Sequence, residues 1–418
     1  MKAIRSNEHT LKVLTFFFHD DPNEYVTGGF LRFVEILRRS KFHGLEFDVI
    51  ENKPAFKRLN PDLNYNSYEV TNILIKQKEL DRSFLKSVRL VVDGVIAGFH
   101  LCNYKKYDLI LSPCEIHPLV LTAFFTAKLS KLPWTAVFQM APAECNMTSF
   151  FSIYKYFRKK QSFSRTMLHS ILLFLMATKV YRDTKIVLVS SSLEATITNF
   201  SNENYLTLHK GNASRFENLQ LIDNKKSFDG LFAGRLVAEK GIFDLVKVWK
   251  LIVLKYPFSK LLIVGPGKPE TKEALLDFIS ENGLNKNITV MGFVSESSVM
   301  AQLMNQSKLM VYPSIQDTYP LVVGEGLSLG LPVICYDIPA MNHYQYNLGL
   351  FKVPIGNLEM MAEKILYLLD NPLMIQKIKE TPKVLGNSWD DVINEEKDTY
   401  DQVIAFHMQK IKTIDRIS

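Results

Sequence analysis

Apolar runs alternate with amphipathic stretches along both halves of this 418-residue chain. Residues 11–18 are mostly apolar, which is typical of a strand buried on both faces of a sheet. After Gly241, apolar residues recur every three or four positions, which predicts an amphipathic helix. The alternation predicts two doubly wound parallel sheets. The predicted strands are 11–18, 47–50, 108–111, 135–138 and 186–189, followed by 230–232, 261–264, 288–291, 309–312, 333–336 and 350–353.

Length and composition indicate a globular protein with more than one core. The chain is 47% hydrophobic and 22% charged, which is ordinary for a globular protein. Because 418 residues exceed a single core, we expect two domains of roughly 200 residues each. A polar, turn-rich segment at 211–224 predicts the linker. We therefore place the first domain at 1–212 and the second at 213–385.

Several features favour a location in the cytoplasm. The four cysteines lack the spacing of a metal or redox site, which suits a reducing compartment. The first residues lack the long apolar core and cleavage site of a signal peptide. The apolar run 171–177 is far shorter than the roughly 20 residues that span a bilayer. We therefore expect a cytoplasmic protein.

Positive charge is concentrated between residues 146 and 182, which contain seven basic residues and no acid. Within this stretch, apolar residues at 150, 153, 154 and 157 predict one apolar face of a helix. A basic amphipathic helix with aromatic residues is typical of a peripheral contact with the inner membrane face. A helix that faces the core and has a solvated basic back is the alternative. Nucleic acid is a weaker interpretation, because no nucleic-acid motif accompanies the patch.

Two acids mark the most informative segment, between the strands 309–312 and 333–336. Asp317 lies in the predicted loop and Glu325 in the first turns of the following helix. These positions lie at the carboxyl end of a parallel sheet, where open α/β folds bind ligands. Acids there accept hydrogen bonds from sugar hydroxyls, although a turn residue and a capping acid are the structural alternative. Backbone amides at the helix N-terminus could hold a phosphate, and they belong to Tyr319, Leu321 and Val322.

Cations follow the strand 230–232 and precede the helix that begins after Gly241. Gly234 allows a sharp turn, Arg235 can bind a diphosphate through its forked guanidinium, and Lys240 adds a point charge. These cations would stabilise the charge that grows on a leaving diphosphate. A salt-bridged helix N-terminus is the alternative.

Glycine-rich turns follow three other predicted strands. Gly265 and Gly267 close the strand 261–264, and Phe293 follows the strand 288–291 next to a glycine. In the first half, Gly28 and Gly29 open a helix and would allow a phosphate or a sugar to approach the backbone. Each of these turns by itself is weak evidence of a ligand site, because such turns also simply connect strands and helices.

Taken in order, these segments resemble the GT-B retaining glycosyltransferases of glycosyltransferase family 4, the group 1 type of the glycogen-synthase-like superfamily. The resemblance implies two Rossmann-like domains facing a cleft, with a C-terminal helix at 386–418 that crosses back to the first domain. It implies metal-independent transfer of a hexose from a nucleotide-sugar donor to a glycan or lipid-linked acceptor, without a further cofactor. It assigns Arg235 and Lys240 to the diphosphate, Asp317 to the donor sugar and Glu325 to the ribose. It also assigns donor-binding roles to Gly28, Gly29, Gly234, Gly265, Gly267, Phe293, Tyr319, Leu321 and Val322.

Two departures from the family pattern keep other functions open. Gln139 follows the strand 135–138 where many relatives have a histidine that contacts the donor sugar. We expect Gln139 to be a donor-binding residue too, because glutamine can hydrogen-bond a sugar hydroxyl, but it cannot act as an acid or base near pH 7. His117, in the loop after the strand 108–111, could occupy a similar place, although a lone loop histidine is usually a surface residue. Asp317 stands where glutamate is commoner. A sugar phosphorylase or nucleotide-sugar hydrolase on the same scaffold, or a catalytically silent binding subunit, is the alternative.

Overall fold

The computed structural model describes residues 10–18, 28–51, 63, 65–69, 83–139, 149–158, 163–194, 204–210, 213–216, 226–294, 296–381 and 388–415. The chain divides into two compact units. One unit comprises Met1–Gly211 together with Trp389–Ser418, and the other comprises Asn212–Ser388. The C-terminal segment therefore belongs to the same unit as the N-terminal half.

The first unit is built around a parallel sheet. Its described strands are β1 (Leu11–Phe17), β2 (Leu45–Glu51), β3 (Asn66–Glu69), β4 (Leu109–Ser112), β5 (Trp134–Phe138), β6 (Ile186–Leu188) and β7 (Tyr205–Thr207). They lie in the order β3-β2-β1-β4-β5-β6-β7, and each pair is parallel. The central strands are apolar because helices cover both faces of such a sheet.

Helices of the first unit bury apolar residues in the same hydrophobic core as this sheet. They are α1 (Gly28–Arg39), α2 (Ser83–Tyr104), α3 (His117–Ser130), α4 (Phe150–Arg158), α5 (Phe163–Leu175) and the C-terminal α12 (Trp389–Asp415). On α12, Trp389 and Tyr400 are buried, and Glu396 forms a buried ion pair with Arg32 of α1. The two buried charges therefore compensate each other.

The second unit repeats the architecture with a shorter sheet. Its strands are β8 (Phe228–Ala233), β9 (Leu261–Val264), β10 (Ile288–Met291), β11 (Ser307–Tyr312), β12 (Val333–Tyr336) and β13 (Leu350–Val353). Among the described residues they form a six-stranded parallel sheet in the order β10-β9-β8-β11-β12-β13. Its helices are α6 (Ile242–Lys255), α7 (Pro269–Glu281), α8 (Ser297–Asn305), α9 (Leu321–Ser328), α10 (Leu358–Asp370) and α11 (Pro372–Glu380).

The predicted fold class, two Rossmann-like parallel-sheet domains, is confirmed. All eleven predicted strands coincide with observed strands to within two residues at either end. β3 and β7, which lie at the two edges of the first sheet, are not predicted by the pattern of apolar residues. Both are short, three or four residues, and β3 carries polar residues at an edge position, so neither shows an apolar run.

Candidate donor-binding site

The cationic loop and the acidic loop of the second unit start from neighbouring strands. β8 and β11 lie side by side at the centre of the sheet, yet β8 connects to β9 on one side and β11 to β12 on the other. This reversal is the topological switch point, where open α/β sheets form a crevice beyond the carboxyl ends of their strands. Arg235 and Lys240 follow β8, and Asp317 follows β11. The topology therefore brings these three predicted residues to one edge of the sheet.

Lys240 and Asp317 are in direct contact. The Lys240 Nζ donates to Asp317 Oδ2 at 2.5 Å and to the Gln316 carbonyl oxygen at 3.3 Å. Both side chains are largely buried, with 12% of Lys240 and 16% of Asp317 exposed. The Thr318 N–H donates to the other carboxylate oxygen of Asp317 at 2.8 Å. The acid is thus held in one orientation by donors from two loops.

Tyr312, the last residue of β11, completes this cluster, and the sequence analysis missed it. Its hydroxyl donates to Asp317 Oδ2 at 2.5 Å and accepts from Lys240 Nζ at 3.1 Å. Burial and then the Asp317 carboxylate raise the pKa of Tyr312 well above its ordinary value, so the hydroxyl keeps its proton and donates. In the sequence Tyr312 looks like an apolar strand residue, because only the fold shows that its hydroxyl meets the acid.

Arg235 lies beside the same cluster without a fixed partner among the described residues. No hydrogen bond or ion pair within that part of the chain engages its guanidinium, although its charge lowers the pKa of Tyr312. The side chain is partly buried. A guanidinium in this position offers a fork of N–H donors for a planar or tetrahedral anion.

Glycines allow the loops around the cluster to approach one another. A Cβ on Gly265 would lie 1.8 Å from the Gly234 carbonyl oxygen, and one on Gly241 would lie 1.9 Å from that of Pro313. Gly241 also has a φ of +70°. A Cβ on Gly267 would lie 2.7 Å from that of Leu236. Loop packing therefore requires glycine at Gly265 and Gly267, two predicted donor-binding residues, and also at Gly241.

The start of α9 offers fewer free amides than expected. The Leu321 N–H already donates to the Tyr319 carbonyl oxygen at 2.9 Å. The Tyr319 ring lies 4.5 Å from the His343 ring, and burial lowers the pKa of His343, so that imidazole is neutral near pH 7. Val322 is partly buried and packs against the core. Of the predicted amides, that of Leu321 therefore has a competing acceptor.

Glu325, on the second turn of α9, is buried and fully engaged. Arg215 donates through Nε to Oε1 at 2.6 Å and through Nη2 to Oε2 at 3.0 Å. The Glu325 side chain is 1% exposed and that of Arg215 16%. The sequence analysis missed Arg215 because it lies in the segment interpreted as a linker, where a lone arginine shows no pattern.

Tyr344 lies near both Asp317 and Glu325. Burial raises its pKa well above the ordinary value, and the charges of Tyr319, Asp317 and Glu325 raise it further. Both carboxylates are therefore close enough to act on one buried phenol. Its hydroxyl donates to the Pro320 carbonyl oxygen at 3.1 Å. A Cβ on Gly324 would lie 2.8 Å from the Tyr344 hydroxyl oxygen, which explains why α9 carries glycine there.

Predicted site residues in the first unit lie at the carboxyl ends of its strands. Gln139 follows β5, its side-chain amide donates to the Pro113 carbonyl oxygen at 2.9 Å, and its N–H donates to Glu115 at 3.0 Å. Gly28 and Gly29 begin α1, but the loop before them lies outside the described residues. His117 is the first residue of α3, so its placement in a loop was wrong. Burial and then His169 lower the pKa of His117 to about 4.

Phe293 is half exposed in the loop after β10 and lies apart from the packed core.

Within the described part of the chain, no group of three or more histidine, cysteine, aspartate or glutamate side chains is arranged to hold a metal ion.

The basic stretch forms α4, α5 and the helical turns up to Asp183. The predicted apolar stripe of α4 faces inward: Ile153 is buried, and Phe150 packs edge-on against Phe174 of α5. A second set of residues faces outward. We define the α4–α5 surface by its exposed residues Phe151, Lys155, Arg158, Phe163, Ile171, Leu175 and Lys179. No described helix is both long enough and apolar enough to cross a membrane.

Comparison with known proteins identifies the class to which this architecture belongs. Residues 227–371 match the family model described as Glycosyl transferases group 1. A glycosyltransferase from Rickettsia africae has a structure that superposes with a TM-score of 0.69 at 15% identity, over 95% of this chain and 99% of that one. HepE from Anabaena, solved in complex with UDP and glucose, superposes with a TM-score of 0.61 at 14% identity, over 97% and 100%. The chain has the GT-B fold.

Sequence relatives point to the same group. An uncharacterized glycosyltransferase of Methanocaldococcus jannaschii is 34% identical over 113 residues, which are 27% of this chain and 27% of the relative. The capsular polysaccharide biosynthesis glycosyltransferase CapM of Staphylococcus aureus is 28% identical over 47% of this chain and 54% of CapM. The alignments thus span about a quarter to a half of these relatives. The resemblance to GT-B glycosyltransferases of the group 1 type is confirmed, and the match to the group 1 family model lies at residues 227–371.

Proposed function

We propose that the chain is a retaining glycosyltransferase that moves a hexose from a nucleotide-sugar donor to a glycan or lipid-linked acceptor. The observation that carries the proposal is the cluster at the switch point of the second sheet. There, Arg235, Lys240 and Asp317 gather beyond the ends of β8 and β11. Cations bind a diphosphate, and a carboxylate accepts from sugar hydroxyls, so the two parts of a sugar nucleotide find matching groups.

The proposed chemistry follows from where charge develops. Negative charge grows on the diphosphate as the bond to the sugar breaks, and Arg235 and Lys240 would stabilise it mainly in the transition state. Asp317, oriented by Tyr312 and the Thr318 N–H, would hold donor-sugar hydroxyls. Glu325 would accept from the ribose hydroxyls. Because the two cations would neutralise the diphosphate, the proposed reaction needs no metal ion.

Two solved neighbours support a nucleotide-sugar donor. HepE was solved with UDP and glucose, and TarM of Staphylococcus aureus with UDP and α-GlcNAc-glycerol. Both share the fold at about 14% identity. We extend only the class of donor to this chain, because base and sugar selection depend on contacts that differ between such distant relatives.

A thermal-shift panel of UDP, GDP, ADP and their common sugar conjugates tests the donor site. A ligand at a hundred times its dissociation constant should add about 2.7 kcal/mol to the free energy of unfolding. We expect stabilisation by one nucleotide, weakened in Asp317→Asn and Arg235→Gln and unchanged in Lys308→Gln, a partly exposed lysine paired with Asp229. No stabilisation by any nucleotide would favour the silent binding subunit.

Product analysis then separates the remaining alternatives. With the stabilising sugar nucleotide, NMR of the first product should show the anomeric configuration of the donor, since we propose retention. Turnover should persist in EDTA if no metal takes part. Phosphate-dependent release of sugar phosphate would instead favour a phosphorylase, and release of free sugar without an acceptor a hydrolase.

The α4–α5 surface favours an acceptor presented at the inner face of a membrane, and hence a cytoplasmic protein in peripheral contact with lipid. On α4, Phe151, Lys155 and Arg158 are spaced four and three residues apart, so they share one outward face. Phe151 is 76% exposed, and Phe163 on α5 is 60% exposed. Aromatic residues beside basic ones, with no acid from 146 to 182, match an anionic lipid surface.

A further inference from the structure

We propose that Arg215 closes the ribose subsite of the donor site by competing for the Glu325 carboxylate, and that it thereby sets the preference for a complete ribose. The inference rests on the proposed function, in which Glu325 accepts from the ribose hydroxyls. It adds a residue that lies outside the matched domain at 227–371.

The contact between the two side chains occupies the acceptor that the ribose needs. Arg215 donates one N–H to each oxygen of the carboxylate, at 2.6 and 3.0 Å. Such a forked pair is the strongest and most directional arrangement for these groups. A ribose that approached Glu325 would meet both oxygens already engaged.

Burial shows which partner lies on the outside. The Glu325 side chain is 1% exposed, whereas 16% of Arg215 remains accessible. The Arg215 side chain is therefore the more accessible member of the pair, and under this proposal the carboxylate becomes reachable when Arg215 turns away. Arginine has enough rotatable bonds to do this without a change in the backbone.

Anchors on either side of Arg215 keep the segment 213–216 against α9. Ala213 and Phe216 are buried in the second unit. The Ser214 hydroxyl accepts from the Phe216 N–H at 3.1 Å and lies 3.2 Å from the hydroxyl of Ser328, one turn beyond Glu325 on α9. The backbone is thus held in place, so the subsite would open through rotation of the Arg215 side chain.

The energetic cost of breaking the Arg215–Glu325 ion pair makes the subsite selective for ribose over deoxyribose. Leaving a buried carboxylate without a partner is costly, so Arg215 is displaced only by a ligand that supplies donors of its own. A ribose supplies two hydroxyls, one for each oxygen of Glu325. A 2′-deoxyribose supplies one and leaves the second oxygen without a replacement donor.

The test measures affinities of UDP, GDP and ADP and of their 2′-deoxy counterparts by isothermal titration calorimetry. In Arg215→Gln, the preferred ribonucleotide should bind about tenfold more tightly, because a strong competitor is replaced by a weak one. The deoxynucleotide should gain more, about thirtyfold, because it no longer has to displace Arg215 with a single hydroxyl, so the ratio of ribonucleotide to deoxynucleotide affinity falls. Arg215→Lys, which keeps the charge and loses the fork, should fall between wild type and Arg215→Gln.

Two controls separate competition from a structural role. Glu325→Gln should remove the distinction between ribo- and deoxynucleotide, and adding Arg215→Gln to it should change neither affinity. Lys308→Gln, which removes a partly exposed ion pair of the same unit, should bind like wild type. A purely structural arginine would lower the melting temperature and weaken both nucleotides together.

The possible failures are distinguishable. If Arg215→Lys and any folded Arg215→Gln protein bind the ribonucleotide no more tightly than wild type, Arg215 supports Glu325 instead of competing with the ribose, and the inference is overturned. If wild type binds one nucleotide but Glu325→Gln keeps its ribose preference, Glu325 does not accept from the ribose hydroxyls. The inference about Arg215 is then overturned as well. If wild type binds none of the six nucleotides, the proposed function itself fails.

Discussion

Lys240 and Asp317, 77 residues apart in sequence, form an ion pair of 2.5 Å across the two central loops of the second unit. The proposed donor must therefore enter a site whose cation and acid are already paired. A diphosphate would compete with Asp317 for Lys240, and sugar hydroxyls would compete with Lys240 for Asp317. Because the ligand offers both, binding can replace the pair without leaving either charge alone.

Replacing Lys240 by methionine should reduce kcat more than it raises KM. Lys240 would act on charge that grows in the transition state, and removing one such group typically costs about a hundredfold in kcat. Steady-state kinetics with the sugar nucleotide found in the stability panel measures the effect. Lys308→Met is the matched control and should keep wild-type kinetics. An unchanged kcat in Lys240→Met would remove Lys240 from the proposed mechanism.

Two glycine substitutions should differ strongly in stability. Gly265→Ala would place a Cβ 1.8 Å from the Gly234 carbonyl oxygen, whereas Gly292→Ala would meet nothing within 4 Å. We expect Gly265→Ala to lower the free energy of unfolding by about 2 kcal/mol or more and Gly292→Ala by less than about 0.5 kcal/mol. Urea denaturation followed by circular dichroism measures both. Equal stabilities of the two variants would show that the loops of Gly265 and Gly234 can move apart without loss of folding free energy.

Stability should fall on acidification partly through His117. Its pKa is about 4 in the native protein and about 6.5 in an unfolded chain, so between these values the unfolded state binds more protons. The contribution is complete above pH 6.5 and is lost as the pH falls toward 4. Between pH 7 and pH 5 the loss should be at most about 2 kcal/mol.

Urea midpoints of wild type and His117→Gln at the two pH values measure this loss. The variant should lose less stability than wild type on going to pH 5. The exposed His209→Gln serves as the control and should follow wild type. A variant that loses as much as wild type would show that His117 does not contribute.

The α4–α5 surface should bind vesicles that contain anionic lipid. Each basic residue near such a surface contributes about 1 kcal/mol, so Lys155→Gln with Arg158→Gln should weaken binding about thirtyfold. Vesicle flotation with phosphatidylglycerol and phosphatidylcholine measures it. Lys247→Gln with Lys250→Gln removes two exposed lysines at the same spacing on α6 and should have no effect. Equal binding by both double variants would place the lipid contact elsewhere or exclude it.

The sequence alone determined most strands and their order along the chain. Burial on a sheet or against a helix requires a characteristic spacing of apolar residues, and this spacing can be recognised within a short segment. The run 261–264 and the stripe of α6 each predicted their element from a few adjacent residues. Loop positions followed in the same way, so Arg235, Lys240 and Asp317 were placed at strand ends before any contact was known. β3 and β7 escaped because edge strands this short bury too little to show the pattern.

Only the tertiary structure decided which side chains meet. Arg215 lies 110 residues from Glu325 in sequence, so no local pattern predicts their contact. Tyr312 has the pattern of an apolar residue of β11, and only the structure shows that its hydroxyl donates to Asp317. His117 looked like a loop residue and proved to begin α3 beside His169. A periodic pattern records whether a residue is buried, but the identity of its partner depends on how distant strands are ordered in the sheet. The pairings that define this site arise from that order, since β8 and β11 become neighbours only when the sheet is assembled.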